Sequence, residues 1–178
     1  MKILIHTCCG PCAVLFTKHF AAQNPDYEPH LLWFNPNIHP LTEYRNRQQA
    51  AHAFAQAAEL PIIGADSDYG LRHFLQHVHT LDKGARCEYC YHSRLAFAAE
   101  QAVAAGLAAF TTTLLASPYQ NFELIQRIGG DLARQHGLTF ISPDFRANYR
   151  NGLAHAREMG LYMQKYCGCI FSEEERYR

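Results

Sequence analysis

Short apolar or β-branched runs alternate with longer helical stretches along the whole chain, and few folds tolerate that pattern. "KILIH" (2–6), "HLLWFN" (30–35), "PIIGAD" (61–66), "AAFTTTL" (108–114) and "LTFIS" (138–142) read as buried strands bounded by turn residues. Between them, 11–23, 41–60, 87–106 and 119–137 carry helical spacing, with further helices expected over Tyr69 to Leu81 and over 152–165. In 41–60, Leu41, Tyr44, Ala51, Phe54, Ala55 and Ala58 fit one apolar face, with Arg45, Arg47, Gln48 and Glu59 elsewhere and Thr42 as a cap. Strand–helix alternation of this kind predicts a parallel, doubly wound α/β sheet with right-handed crossovers and a C-terminal helical segment. The length of 178 residues suits a single α/β domain, 1–178. In such sheets the functional edge is the carboxyl end of the strands, and "HTCCGPC" (6–12) falls there, where the first strand hands over to a helix.

Apolar residues make up 48% of the chain, enough for a packed core. The 16 basic and 16 acidic residues balance, so any polyanion must be held by a local patch rather than by net charge. Arginine dominates the basic side, and its fork suits phosphates. The apolar run after Lys2 is too short for a signal peptide and no run approaches a membrane span, which points to the cytoplasm. Structural disulfides are rare there. Seven cysteines in such a chain ask for metal, cluster or redox chemistry.

The cysteines form three groups: Cys8, Cys9 and Cys12; Cys87 and Cys90; Cys167 and Cys169. A CxxC whose first cysteine opens a helix aims two thiolates at one point, and the helix N-terminus lowers their pKa. Two such pairs supply the four thiolates of a [4Fe–4S] cluster or of a structural zinc, and spacing leaves both open. In Cys167-Gly168-Cys169 two thiols flank a single glycine and can close a strained, reducible disulfide; two further metal ligands are the plainer reading. CGPC behind a strand also fits a thioredoxin-like thiol–disulfide oxidoreductase, although Cys9 stands where such proteins carry Trp. A zinc-stabilised RNA-binding module is the non-catalytic alternative. A tRNA-sulfurating enzyme would need a Gly/Ser-rich pyrophosphate loop where this chain has "TCCGPC".

Six blocks, in order, are "HTCCGPCA", "WFNPNIHPLTEYRNR", "GARCEYCYHSRL", "FTTTLLASPYQN", "PDFRANYRNG" and "GLYMQKYCGCIFSEEER". Together they resemble the cobalamin-independent epoxyqueuosine reductases of the QueH type over nearly the whole chain. The resemblance implies a Rossmann-like, nucleotide-binding (HUP-type) α/β layer. It also implies the last step of queuosine biosynthesis: reduction of epoxyqueuosine, at the wobble position of a tRNA, to queuosine. The partners implied are that tRNA and an electron donor, with no membrane. By the same resemblance Cys8, Cys9, Cys87 and Cys90 ligate a [4Fe–4S] cluster, and Cys167 and Cys169 are the redox-active pair. An additional iron ion beside the cluster is implied as well, with Cys12 as the spare thiol and Asp66, Asp68 or Asp144 as carboxylate candidates.

Epoxide deoxygenation also needs an acid and a grip on the RNA. His6 is a candidate proton donor, against the simpler reading of a satisfied histidine at a strand end. Tyr119 and Tyr166 suit packing or substrate contact better than acid catalysis, because a phenol is a weak acid at neutral pH. In "FNPNIHP", Asn35, Asn37 and His39 are candidates for binding the base or its diol; the alternative is a proline-shaped turn bonded to its own backbone. Arg45, Arg86, Arg94, Arg146 and Arg150 are phosphate-contact candidates. His73 and His77 are spaced i, i+4, yet "LRHFLQHVHTL" reads as a histidine-rich surface helix. Ser172 and Glu175 in "SEEER" fit a capping box.

Overall fold

The computed structural model describes residues 1–64, 69–80 and 82–178. β1 (Lys2–Thr7), β2 (Glu28–Trp33), β3 (Ile62–Gly64), β4 (Ala109–Thr112) and β5 (Thr139–Phe140) form one sheet in the order β3-β2-β1-β4-β5. Every pairing is parallel. β1 takes the centre: Lys2–Thr7 pairs with Glu28–Trp33 on one side, and Ile3–His6 with Ala109–Thr112 on the other. Ile3, Leu4 and Ile5 are fully buried, as a strand covered on both faces requires.

The helices are α1 (Gly10–Gln23), α2 (Leu41–Ala57), α3 (Leu71–His77), α4 (Lys83–Ala104), α5 (Phe122–His136), α6 (Tyr149–Glu158) and α7 (Ile170–Tyr177). α1 packs against α2 and α6, whereas α4 packs against α5. The chain moves outward through β2 and β3 and returns past β1 to β4 and β5, so right-handed crossovers put these two groups on opposite faces. Among the described residues no helix is long and apolar enough to cross a membrane.

The doubly wound parallel architecture expected from the alternation is therefore present, with local differences. The strand expected over 61–66 is described only as far as Gly64, and the residues beyond it, with Leu81 at the end of the expected 69–81 helix, lie outside the described set. Thr42 does not cap α2: the helix begins at Leu41 behind Pro40 and has no side-chain cap. The helix expected over 152–165 runs instead from Tyr149 to Glu158, because Gly160, at φ 68°, turns the chain away. The chain then runs without regular structure to Cys169, where α7 starts. Ser172 lies inside the first turn of α7 and takes the Gly168 N–H, while Glu175 pairs with Arg86, so no capping box forms.

α5 lies close against β5 because Gly129 has no side chain. A Cβ there would meet the Phe140 ring at 2.4 Å, whereas one on Gly130 would find nothing nearer than 3.8 Å. Gly129→Ala is expected to destabilise the fold by ~1–3 kcal/mol through overpacking, and Gly130→Ala to stabilise it by up to ~1 kcal/mol through helix propensity. Urea unfolding of the two variants checks the opposite signs.

Candidate active site

Strand order reverses between β1 and β4, and parallel sheets open a ligand crevice at such a point. Cys8 and Cys9 leave β1 directly into it. Cys9 is the N-cap of α1, where its Sγ accepts the Cys12 N–H at 3.4 Å and Pro11 starts the helix. The Sγ atoms of Cys8, Cys9 and Cys12 all lie within 4.8 Å of one another and all three residues are buried. Thr113, just after β4, forms the opposite wall. Its Oγ1 accepts the Cys8 N–H at 3.1 Å and donates to Cys8 Sγ at 3.4 Å. Gln164, from the chain following α6, donates to Cys9 Sγ at 3.0 Å.

Cys87 and Cys90 approach from α4. Asp82 caps that helix through the Ala85 N–H, so Cys87 is its fifth residue and not its first. The expected lowering of both thiols by a helix N-terminus is absent for that reason. Burial pushes Cys90 up to about 12 and raises Cys87 as well. One turn further, the buried Arg94 donates to Cys90 Sγ at 2.9 Å and to the Cys90 carbonyl at 3.1 Å. Burial opposes its charge, while Cys90 and Cys8 beside it act to raise its pKa. Within the triad, hydrogen bonds from Cys12 and Cys9 pull Cys8 well below the usual thiol range, with Thr113 and Arg94 assisting. Burial raises Cys9, and Cys12 is raised by donating to Cys8. Cys8 is thus the thiolate of the three.

Cys167 and Cys169 come in over this edge. Gln120 Nε2 donates to Cys167 Sγ at 3.5 Å, while Cys169 Sγ lies 3.5 Å from Ser172 Oγ. A cavity of about 500 Å³ is bordered by Cys8, Cys12, Arg94, Tyr149, Gln164 and Cys167. A smaller one of about 100 Å³ is bordered by Cys87, Cys90, Cys167, Cys169 and Asn37. All seven cysteines are free. The structure gathers Cys8, Cys9 and Cys12 into one tight group, sets Cys87 and Cys90 around the neighbouring cavity, and leaves Cys167 facing both.

The sequence model of the epoxyqueuosine reductase QueH family matches residues 3–175. The chain belongs to this family. A QueH relative from Thermotoga maritima is 36% identical, with 98% of this chain and 91% of the relative aligned. One from Dehalococcoides mccartyi is 30% identical over 99% of this chain and 94% of its own length. Among solved structures, the U34-tRNA thiolase NcsA from Methanococcus maripaludis, described with its [4Fe-4S] cluster, superposes with a TM-score of 0.57 at 13% identity. That match covers 98% of this chain and 62% of NcsA, and at such identity it is a likeness of fold. Membership in the QueH family sets aside the thioredoxin-like and zinc-module readings.

Around this QueH site the other expected residues fall in different places. His6 is fully buried, its Nδ1 2.9 Å from Thr112 Oγ1 and its Nε2 3.1 Å from the Phe34 carbonyl, so it is a satisfied strand-end histidine. Asn35 is fully buried and donates to the Thr7 carbonyl, and His39 is fully buried against Tyr69 and Phe74. Both shape the loop after β2 and present no surface to a ligand. Asn37 is buried too, but its Oδ1 has no hydrogen-bond partner and the residue borders the four-thiol cavity. Tyr119 is 79% exposed and stands edge-on to Tyr149 at the rim of both cavities.

Arg45 and Arg150 are exposed. Arg146 pairs with Asp144 on the surface and stacks over Phe122. Arg86 and Arg94 are buried and engaged with Glu175 and Cys90, which corrects their reading as phosphate contacts. Asp66 and Asp68 lie outside the described residues. His73 and His77 stack on each other at the surface, His77 also stacks on Tyr89, and the Tyr89 hydroxyl lies 3.3 Å from His73 Nδ1. Sequence reasoning missed Arg47, Gln164 and Tyr149; only their places inside the matched blocks hinted at them.

His6 and His39 are both neutral in the fold, burial lowering each from 6.5 to about 4. Between those values the unfolded chain binds more protons. Their stabilisation is therefore complete above pH 6.5 and is lost as pH falls toward 4. Urea unfolding of the metal-free chain is expected to show a loss of roughly 2 kcal/mol per histidine between about pH 7 and about pH 5.

Proposed function

We propose that this chain reduces epoxyqueuosine at the wobble position of tRNA to queuosine, in the cytoplasm, with electrons from a separate donor. The observation that carries the reading is the convergence of seven free cysteines on one sheet edge, beside a cavity of about 500 Å³. That volume admits a flipped, modified base. The reaction takes two electrons and two protons into the epoxide and yields the alkene and water. Oxidation of Cys167 and Cys169 from dithiol to disulfide supplies both pairs, and the external donor restores the thiols.

We assign Cys8, Cys9, Cys87 and Cys90 as ligands of a [4Fe–4S] cluster, with Cys12 left to an additional iron. The donor set is all thiol and Cys8 is biased toward thiolate; Cys8 and Cys9 belong with Cys12 to one buried group of Sγ atoms within 4.8 Å, while Cys87 and Cys90 border the neighbouring cavity. Buried Gln164 Oε1 and Asn37 Oδ1, each without a protein partner, border the two cavities. When bound, the metal centre supplies single-electron transfer and a Lewis acid for the epoxide oxygen. Asp144 is a poor ligand for the extra iron, because it faces solvent and is held by Arg146.

The chain's own groups orient the substrate and exclude water. Tyr119 and Tyr149 at the rim offer ring faces and edges to a base from a single-stranded loop. Lys165 and Arg176, which border the same cavity, and Arg45, exposed on α2, are our candidates for phosphate contacts. Asn37 is the remaining polar contact for the diol; Asn35 and His39 hold the loop that carries it.

Anaerobic purification is expected to give a brown protein with broad visible absorption and bound iron. A colourless protein with stoichiometric zinc would overturn the cluster assignment. In single-turnover reduction of epoxyqueuosine-tRNA, Cys167→Ser is expected to lower the rate by roughly 100-fold or more. Full turnover by that variant would remove the dithiol role.

A further inference from the structure

The CGC segment is held by a side chain that bonds its backbone carbonyls. Arg47, on α2, is 2% exposed and ion-paired through Nε with Glu43 Oε1 at 2.7 Å. Its two terminal nitrogens point the other way. Nη1 donates to the Cys167 carbonyl and Nη2 to the Tyr166 carbonyl, each at 2.9 Å. Each terminal nitrogen thus donates to one of two consecutive carbonyls of the segment that carries the dithiol. Tyr162, upstream in the same segment, donates to the second oxygen of Glu43, so the acid that aims Arg47 is itself tied to this stretch of chain.

Gly168 shows how close the arrangement is. Its φ is 134°, a conformation that disfavours any side chain, and a Cβ there would stand 3.1 Å from Arg47 Nη1 and 3.3 Å from Ile38. The backbone conformation calls for glycine between the two cysteines, and Arg47 and Ile38 crowd the space beside it. Further anchors complete the clamp: the His39 N–H donates to the Gly168 carbonyl at 2.7 Å, and the Gly168 N–H to Ser172 Oγ at 3.1 Å. With the backbone so fixed, the two thiols take separate neighbours, Gln120 for Cys167 and Ser172 for Cys169. These bonds are made with both thiols free.

We propose that Arg47 is the positioning residue of the CGC pair, stabilising its dithiol form so that the Cys167–Cys169 disulfide is readily re-reduced. Anchors that favour the reduced form make a disulfide more oxidising, so the pair recharges easily after each turnover. In that turnover the S–S bond forms, two electrons and two protons leave for the substrate, and the donor later returns the same number. The inference rests on the reading of Cys167 and Cys169 as a redox pair.

The test is a redox titration of the full-length protein, purified anaerobically with whatever metal it carries. Samples are equilibrated across ratios of oxidised to reduced dithiothreitol and the free thiols are trapped by alkylation. Trypsin cuts after Lys165 and Arg176, so one peptide, 166–176, holds Cys167 and Cys169 and none of the other cysteines. Its mass reports the state of the pair directly. The wild type is expected to titrate as one two-electron couple. Arg47→Gln is expected to move the midpoint at least tenfold toward reducing buffers, about 30 mV for a two-electron couple, and Arg47→Lys to fall between the two.

A midpoint within twofold of wild type in the Gln variant, or a shift toward oxidising buffers, overturns the positioning role while the redox reading stands. Should the Gln variant not fold, Arg47→Lys is read by the same criterion. A wild-type peptide that never forms the disulfide at any ratio removes the redox reading itself, and this proposal with it.

Discussion

β1 is hydrogen-bonded along both edges, and the site depends on what that pairing does at its carboxyl end. Parallel neighbours on either side bring the tips of β2 and β4 level with Thr7, so the chain leaving β1 enters a crevice with two walls. Polar side chains then lock the three tips together. His6 bridges Thr112 and the Phe34 carbonyl, and Asn35 reaches back to the Thr7 carbonyl. His6, Thr7, Asn35 and Thr112 are fully buried, where a lost partner costs more than in water. The cysteine triad therefore stands on a floor fixed by buried hydrogen bonds, and Thr113 fixes Cys8 from across the crevice.

Much of this was legible in the residues, because period and turn chemistry act locally. The five apolar runs became the five strands, and the cysteines behind the first strand came out at the functional edge. The errors have common causes. Cap readings at Thr42 and Ser172 failed because Pro40 and Cys169 start those helices earlier, and Gly160 ended the helix expected to reach 165. Arg47, Arg86 and Arg94 were read as exposed because a charged residue on a helix normally faces water. What buries them is distant in sequence: the 161–169 stretch over Arg47, Glu175 against Arg86, and the thiols of Cys8 and Cys90 around Arg94. No local pattern announces such partners.

The two most deeply engaged arginines divide the site between them. Arg47 pairs with Glu43 and donates to two backbone carbonyls, and Cys9 and Cys8 also face its charge. Arg94 lies against sulfur: it donates to Cys90 Sγ, and Cys8, the thiol biased toward the anion, faces its charge. A buried cation costs several kcal/mol unless it is compensated. Compensation here comes from sulfur, with Cys8 as the group biased toward the anion. The fold thus sets a thiol biased toward the anion against a buried cation at the crevice. The same positive charge lies beside Cys90 and Cys8 at once, so it spans the gap between the thiols of β1 and those of α4. That bridging position is what joins two cysteine groups, far apart in sequence, into one electrostatic unit.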